Sequence, residues 1–283
     1  MMPRGVPAFL KVIARSKSGI AGLILILVPV SMALFPQYIA PYDPYRRVAK
    51  PFLPPSPTHL LGTNDVGQDI FSELVYGARI SLFVGVVAAV STVVLGTLVG
   101  MVAGYVGGIV DELLMAVTDT MLLIPVLPLM ILLSAFMGRG YVNIIVVITI
   151  FAWPSIARYI RAQVVSLKSQ PFIEAAKAVG AGTLRILFKH MLPQVVPTLA
   201  ALTMLRIGAS MIAEAALSFL GFGDPTQKSW GTMIYWARRS GALTAGAWWW
   251  VTMPGLMITL TVLGFTQLGY VLEEHYNPRL RRL

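Results

Sequence analysis

Charged residues are sparse enough along this chain that the gaps between them outline its elements. Lys17 and Asp43 are separated by 25 uncharged residues that include GIAGLILILVPVSMALF, Arg79 and Asp111 by 31, and Asp119 and Arg139 by 19. A further 18, dense in Val and Ile, lie between Arg139 and Arg158, and 33 between Arg239 and Glu273. After Pro193 the chain stays apolar to Asp224 except for Arg206 and Glu214. A helix crossing the roughly 30 Å hydrocarbon core of a bilayer needs about 20 apolar residues. The pattern therefore predicts six membrane-crossing helices, near 20–40, 81–104, 113–137, 142–161, 194–221 and 249–270. These runs are apolar on all sides, whereas strands of a membrane barrel alternate at every second residue. The predicted class is an all-α, polytopic membrane protein.

The first run has the basic flank of a signal peptide (Arg4, Lys11, Arg15, Lys17) and small residues at Ser31 and Ala33. It starts about twenty residues in, continues through Phe35 and is followed by five more spans, so it reads as a retained anchor.

Composition agrees. Of 283 residues 57% are hydrophobic and 12% charged, with mean hydropathy +0.76; a soluble domain carries about 25% charged residues. That excludes an ordinary soluble enzyme, and the same numbers exclude disorder. The absence of cysteine removes disulfides, thiolate metal sites and cysteine nucleophiles together.

The net charge of +10 invites a nucleic-acid reading until the charges are placed. With the N-terminus inside, 13 basic residues fall on the cytoplasmic side, six of them from Arg158 to Lys189, against 8 outside. This is the positive-inside bias, with both termini cytoplasmic. One short inner turn, with Asp111 and Glu112, carries no Lys or Arg. Trp248, Trp249 and Trp250 then stand where an outer aromatic belt is expected.

Within the spans, Gly96, Gly100 and Gly104 line one face of the second helix and predict close packing on a neighbour. Prolines occur in five of the six spans, as Pro29, Pro125 with Pro128, Pro154, Pro197 and Pro254, and predict kinks. Asp119, Arg206 and Glu214 are charges at membrane depth, where a charge faces a cavity or a partner. Arg206 and Glu214 are eight residues apart, about 80° around one helix, and do not form a same-face pair. Both are candidate pathway residues, with Arg206 biasing the path toward anionic or zwitterionic substrates; the alternative places Glu214 near the outer interface and has Arg206 pair locally or snorkel.

The loop from Arg161 to Pro197 is the most informative stretch. One short helix is expected after Pro171, with Phe172, Ile173, Ala176 and Val179 as its apolar stripe, broken by Gly180 and Gly182. A second is expected from an N-cap at Thr183, with Leu184, Leu187, Phe188, Met191 and Leu192 apolar, and closed by Pro193. An amphipathic pair needs a membrane surface or a partner protein to cover its apolar face.

Glu174-Ala175-Ala176, Gly180 and Leu192-Pro193 resemble the EAA loop of ABC-importer permeases, with His190 and Met191 where that pattern is often aliphatic. His59 to Asp65, Gly67-Gln68-Asp69 and Tyr76 to Arg79 resemble the outer loop of dipeptide, oligopeptide and nickel importers. Glu214 to Gly223, Trp230-Gly231 and Asn277-Pro278-Arg279-Leu280-Arg281 resemble later segments of the same family, with Asn277 in place of the usual Asp. Together they are similar to the second, C-type permease of the pair.

The resemblance implies a type I ABC-importer permease fold and an ATP-driven permease working by alternating access. It divides the chain into an anchor helix and outer loop (1–80), a five-helix core (81–272) with the coupling loop at 161–193, and a cytoplasmic tail (273–283). Implied partners are a homologous second permease, two cytoplasmic ATP-binding subunits, an extracellular substrate-binding protein and membrane lipid. ATP-Mg would be used by those partners. This chain has no GxxxxGK[ST] phosphate loop, so it is expected to bind no cofactor and to catalyse nothing itself. No HExxH occurs, and His59, His190 and His275 lie on different loops, so no metal site is expected. Peptides are the expected substrate, with oligosaccharides or nickel complexes as alternatives for the same machine. A stand-alone secondary transporter predicts internal repeats and several midplane charges; no clear repeat is found and only three charges lie within the spans. An intramembrane hydrolase predicts a histidine inside a span, also lacking.

Overall fold

The computed structural model describes residues 12–14 and 16–276. The basic residues Arg4, Lys11 and Arg15 and the segment from Asn277 to Leu283 lie outside the described residues. Nine principal helices follow: α1 (Lys17–Leu34), α2 (Ile70–Val106), α3 (Gly108–Leu123), α4 (Val126–Met137), α5 (Tyr141–Lys168), α6 (Pro171–Ala178), α7 (Leu192–Phe219), α8 (Trp230–Arg239) and α9 (Trp249–Tyr276). Shorter helical elements are single turns at 12–14, Pro36–Ile39 and Thr183–Arg185 and a π-helix at Ile186–Met191.

Five helical segments are long and apolar enough to cross a membrane, and the bent pair of α3 with α4 makes a sixth where the two count as one span. The expected third span, 113–137, is thus not one helix: the chain turns through 93° between Leu123 and Val126. Pro125 offers no N–H and pushes Ile124 into an extended conformation, ψ 137°. Pro29, Pro154, Pro197 and Pro254 instead lie inside continuous helices.

Helix α2 begins eleven residues before the expected start at 81. Asp69 caps it by accepting from the Ser72 backbone N–H at 2.8 Å, a charge-assisted cap. Its 37 residues span about 55 Å, so its first turns stand beyond an apolar slab. Along the rest of α2 the glycine stripe meets α5, the most extensive helix contact in the molecule. Helices α1 and α9 cross as closely, with Gly22 against Gly264.

Three buried clusters result. One joins α1, α2, α7, α8 and α9 around Trp230 and Trp250. A second lies at the end of the bundle where α6 sits, and a third joins α4, α5 and α2. The three tryptophans do not form one belt: Trp248 is exposed, but Trp250 is buried and packs edge-on to Phe52. Successive helical residues point about 100° apart, so three in a row cannot share one face.

The second loop helix also differs from expectation. Thr183 is its first residue and Gly182 its cap, without a side-chain cap bond. Pro193 does not close it but lies in the first turn of α7, and the Leu192 N–H reaches back to the Leu187 carbonyl through the π turn. A proline crowds the carbonyl four residues earlier, and the wider turn lets the helix run on from Thr183 to Phe219.

Candidate functional site

Pro171 starts α6 where its missing N–H has no helical partner to lose. The helix closes in a Schellman turn: the Ala181 N–H reaches the Ala176 carbonyl at 3.0 Å and the Gly180 N–H the Lys177 carbonyl at 2.9 Å. Gly180 takes φ +80°, which suits glycine. Ile173 is fully buried with Ile160, Val164, Ile186, Leu187 and Met191, and Ala176 is buried beside it.

The expected apolar stripe therefore divides between two faces. Ile173 and Ala176 anchor α6 to the bundle, while Phe172 and Val179 point outward, Val179 being 85% exposed. The next segment repeats this: Leu187 and Met191 are buried, and Leu184 and Phe188 are exposed. Glu174, Ala175 and Gly180 are exposed on the same short helix and turn. Leu192 is half-buried against the cluster, and Pro193 is exposed at the start of α7.

Around this end the basic residues have specific neighbours. Arg161 forks onto Asp111, Nε to Oδ1 at 2.5 Å and Nη2 to Oδ2 at 2.6 Å, and Arg158 pairs with Asp119. The acidic turn that lacked its own basic residue is thus answered from α5. Lys168 and Lys177 both stand over the Tyr105 ring, at 5.7 and 5.8 Å.

The two span charges of α7 reach different neighbours. Arg206 is half-buried, and its Nη2 donates to Ser155 Oγ on α5. No carboxylate lies within ion-pair distance of it among the described residues. Glu214 is 2% exposed, and its Oε1 accepts from Ser218 Oγ at 2.7 Å and Ser229 Oγ at 2.8 Å. Ser229 also caps α8 in a capping box with Thr232. Glu214 thereby ties α7 to the start of α8, where a Cβ on Gly231 would stand 2.9 Å from Ala215 Cα.

Residues 96–282 match the family model for the binding-protein-dependent transport system inner membrane component. The chain belongs to this family.

Relatives of this permease extend the match along the chain. The dipeptide transport system permease protein DppC of Bacillus subtilis is 38% identical, the alignment covering 95% of this chain and 84% of that protein. OppC of Bacillus subtilis, an oligopeptide transport system permease protein, is 36% identical over 94% of this chain and 87% of its own. The glutathione transport system permease protein GsiD of Pectobacterium atrosepticum is also 36% identical, over 94% and 89%. Among solved structures, a chain of the MetNI methionine ABC transporter in inward-facing conformations shares the fold, with TM-score 0.54 and 21% identity over 74% of this chain and 95% of that one. The resemblance drawn from the EAA loop and the outer segments is borne out. This permease is a multi-pass inner-membrane protein.

At the opposite, α8 end, the permease has a polar network that the sequence pattern did not reveal. Asn64 Nδ2 donates to Glu73 Oε1 at 3.0 Å and Gln68 Oε1 at 2.9 Å, and Lys228 Nζ reaches both acceptors from 155 and 160 residues away. His59 Nδ1 lies 3.0 Å from Asp69 Oδ1, and its ring is 5.1 Å from that of Tyr42. Two open cavities of about 470 and 300 Å³ share Tyr45, Thr226 and Lys228 in their walls. Burial holds the Tyr45 hydroxyl above its ordinary range. The segment His59 to Asp69 was legible as a motif; its dependence on Lys228 was not, because the partner lies so far along the chain.

Proposed function

We propose that this chain is the C-type permease subunit of an ATP-driven peptide importer and that α6 is its coupling helix. The reading pairs it with a homologous second permease, two cytoplasmic ATP-binding subunits and an extracellular substrate-binding protein. It places both termini in the cytoplasm. ATP-Mg acts on the partner subunits; this chain holds no cofactor and has no catalytic residue. Peptides are the substrate class because relatives along most of the chain are dipeptide and oligopeptide permeases.

One observation carries the coupling role. Helix α6 is anchored by Ile173 and Ala176 yet leaves Phe172, Glu174, Ala175 and Val179 facing outward, beside exposed Leu184 and Phe188. A helix fixed on one side transmits a push received on the other, and aromatic and aliphatic side chains on that other side suit a protein groove. Glu174 supplies a charge for a hydrogen-bonded contact there, and Gly180 and Gly182 let the segment turn back toward α7. ATP binding closes the ATPase pair, moves the two coupling helices together and rocks the spans to an outward-open state; hydrolysis resets the inward-open one.

Glu174→Lys tests this in proteoliposomes of the complete transporter. The Glu174 side chain is exposed, so the subunit is expected to insert normally and keep its stability within about 0.5 kcal/mol. ATP-driven uptake is expected to fall at least about tenfold, the order of one lost charge-assisted contact. Uptake near the wild-type rate would overturn the coupling role.

A further inference from the structure

A cavity of about 370 Å³ opens between α5, α7 and α9 toward the α6 end, within the usual size range of small-ligand sites. Its polar wall comes from Tyr159, Gln163 and Ser166 of α5, Thr198 of α7, and Glu273 and Tyr276 of α9. Ser155, Tyr159, Gln163 and Ser166 recur at helical spacing, so one face of α5 carries a polar strip about three turns long. That face is turned to α7, where Gln163 Nε2 donates to Thr198 Oγ1 at 3.1 Å and Ser155 accepts from Arg206.

Arg206 stands at the far end of this strip. It lies one turn along α7 from Leu202, as Ser155 does along α5 from Tyr159, and both of those residues line the cavity. Helical side chains lean toward the helix N-terminus, which in α7 is the cavity end. Helices α7 and α9 are antiparallel, with Gly208 between Val262 and Thr266 and Gly269 at Leu205, the last two pairs in one register. Continuing that register sets Glu273 level with Ala201, roughly 8 Å along the axis from Arg206. Neither Arg206 nor Glu273 has an ion-pair partner among the described residues. An anion in the cavity wall and a cation one turn beyond it thus stand without pairing to each other, although a charge at span depth, as Arg206 is, is retained where it meets a partner.

We propose that this groove receives a zwitterionic ligand, its carboxylate on Arg206 and its ammonium toward Glu273. Two extended residues reach about 7 Å, so a small peptide with free termini fits the spacing. The inference rests on the peptide-importer reading and adds to it the residues that recognise the two termini.

Uptake by the complete transporter, with binding protein and ATP, is compared for a dipeptide, its C-terminal amide and its N-acetyl form. Substrate ratios are taken within each variant and then against wild type, which cancels the binding protein's own preference. Arg206→Met is expected to lower uptake of the free dipeptide about tenfold and to spare the amide. Glu273→Gln is expected to lower the free dipeptide and spare the N-acetyl form. A parallel loss for all three substrates, or no loss for any, overturns the proposal.

A second measurement needs no substrate. The chain has no cysteine, so Leu202→Cys sets its sole thiol in the cavity wall. Adding Arg206→Met is expected to slow an anionic thiosulfonate relative to a cationic one several-fold; an unchanged ratio overturns the groove. If that ratio does respond but wild type imports none of the three dipeptides, peptide import falls and the charged groove stands. If wild-type import proceeds and both variants match it, the groove falls and peptide import stands.

Discussion

Gly96, Gly100 and Gly104 show how little room separates α2 from α5. A Cβ on Gly100 would stand 2.5 Å from the Ala157 carbonyl oxygen and 3.0 Å from the Arg161 nitrogen, and one on Gly96 2.8 Å from the Trp153 carbonyl. These obstacles are backbone, which cannot swing aside, and lipid supplies no hydrophobic drive to restore a widened contact. Gly100→Val is expected to cost about 1–3 kcal/mol by overpacking, seen as a lower melting temperature of the detergent-solubilised subunit. Gly182→Ala is the control: nothing lies within 4 Å of its Cβ, and its melting temperature is expected to match wild type. Equal melting of Gly100→Val and wild type would mean that the helices part without loss. The spacing of the stripe was legible in the sequence; its docking on α5 was not, because nothing local encodes which neighbour a small-residue face meets. The same holds for Arg206, whose hydroxyl partner Ser155 is 51 residues away.

Among the elements, charge gaps located the apolar runs well but not their true ends. Helix α2 runs back to Ile70 through Glu73 and Arg79, because a cap and a tertiary network outweigh the charges that seemed to close the span. The break at Pro125 was legible as a proline but not as a 93° turn, since four other prolines lie inside continuous helices. Helix α6 was legible in position and in its glycine stop, while the split of its apolar residues between two faces needed the bundle beneath it. That split allows the turn to be tested apart from the surface. Gly180 is open to solvent but holds φ +80°, so Gly180→Val is expected to strain the turn by about 1–2 kcal/mol and to uncouple uptake from ATP hydrolysis. Gly180→Asn, which tolerates that conformation, is expected to regain most of the uptake. If Val and Asn behave alike, added bulk rather than backbone geometry is the cause.

For the whole molecule, the charge surplus that first suggested a nucleic-acid partner is distributed by task. At the α6 end Arg158 and Arg161 hold α3 through Asp119 and Asp111, and Lys168 and Lys177 flank Tyr105. Arg185 and Lys189 remain exposed on the segment leading into α7. At the α8 end Lys228 is drawn into the Glu73 network, and Arg238 and Arg239 lie over Phe219 and Trp236. Exposed basic charge that resists translocation orients a membrane protein, and it stands at both ends: Lys177, Arg185 and Lys189 beside α6, and Arg46, Arg47, Lys50, Arg79 and Arg139 with Arg238 and Arg239 at the α8 end. The proposed coupling requires α6 on the cytoplasmic face, so one measurement bears on both orientation and coupling. In a chain without cysteine, Gly182→Cys places a thiol in open space at the α6 end, and Leu60→Cys places one at the α8 end, where Leu60 is 55% exposed. An impermeant maleimide added to intact cells is expected to label Leu60→Cys alone and to reach Gly182→Cys only after the membrane is opened. The reverse order would put α6 outside, beyond reach of any cytoplasmic ATPase, and would end the coupling proposal with the orientation.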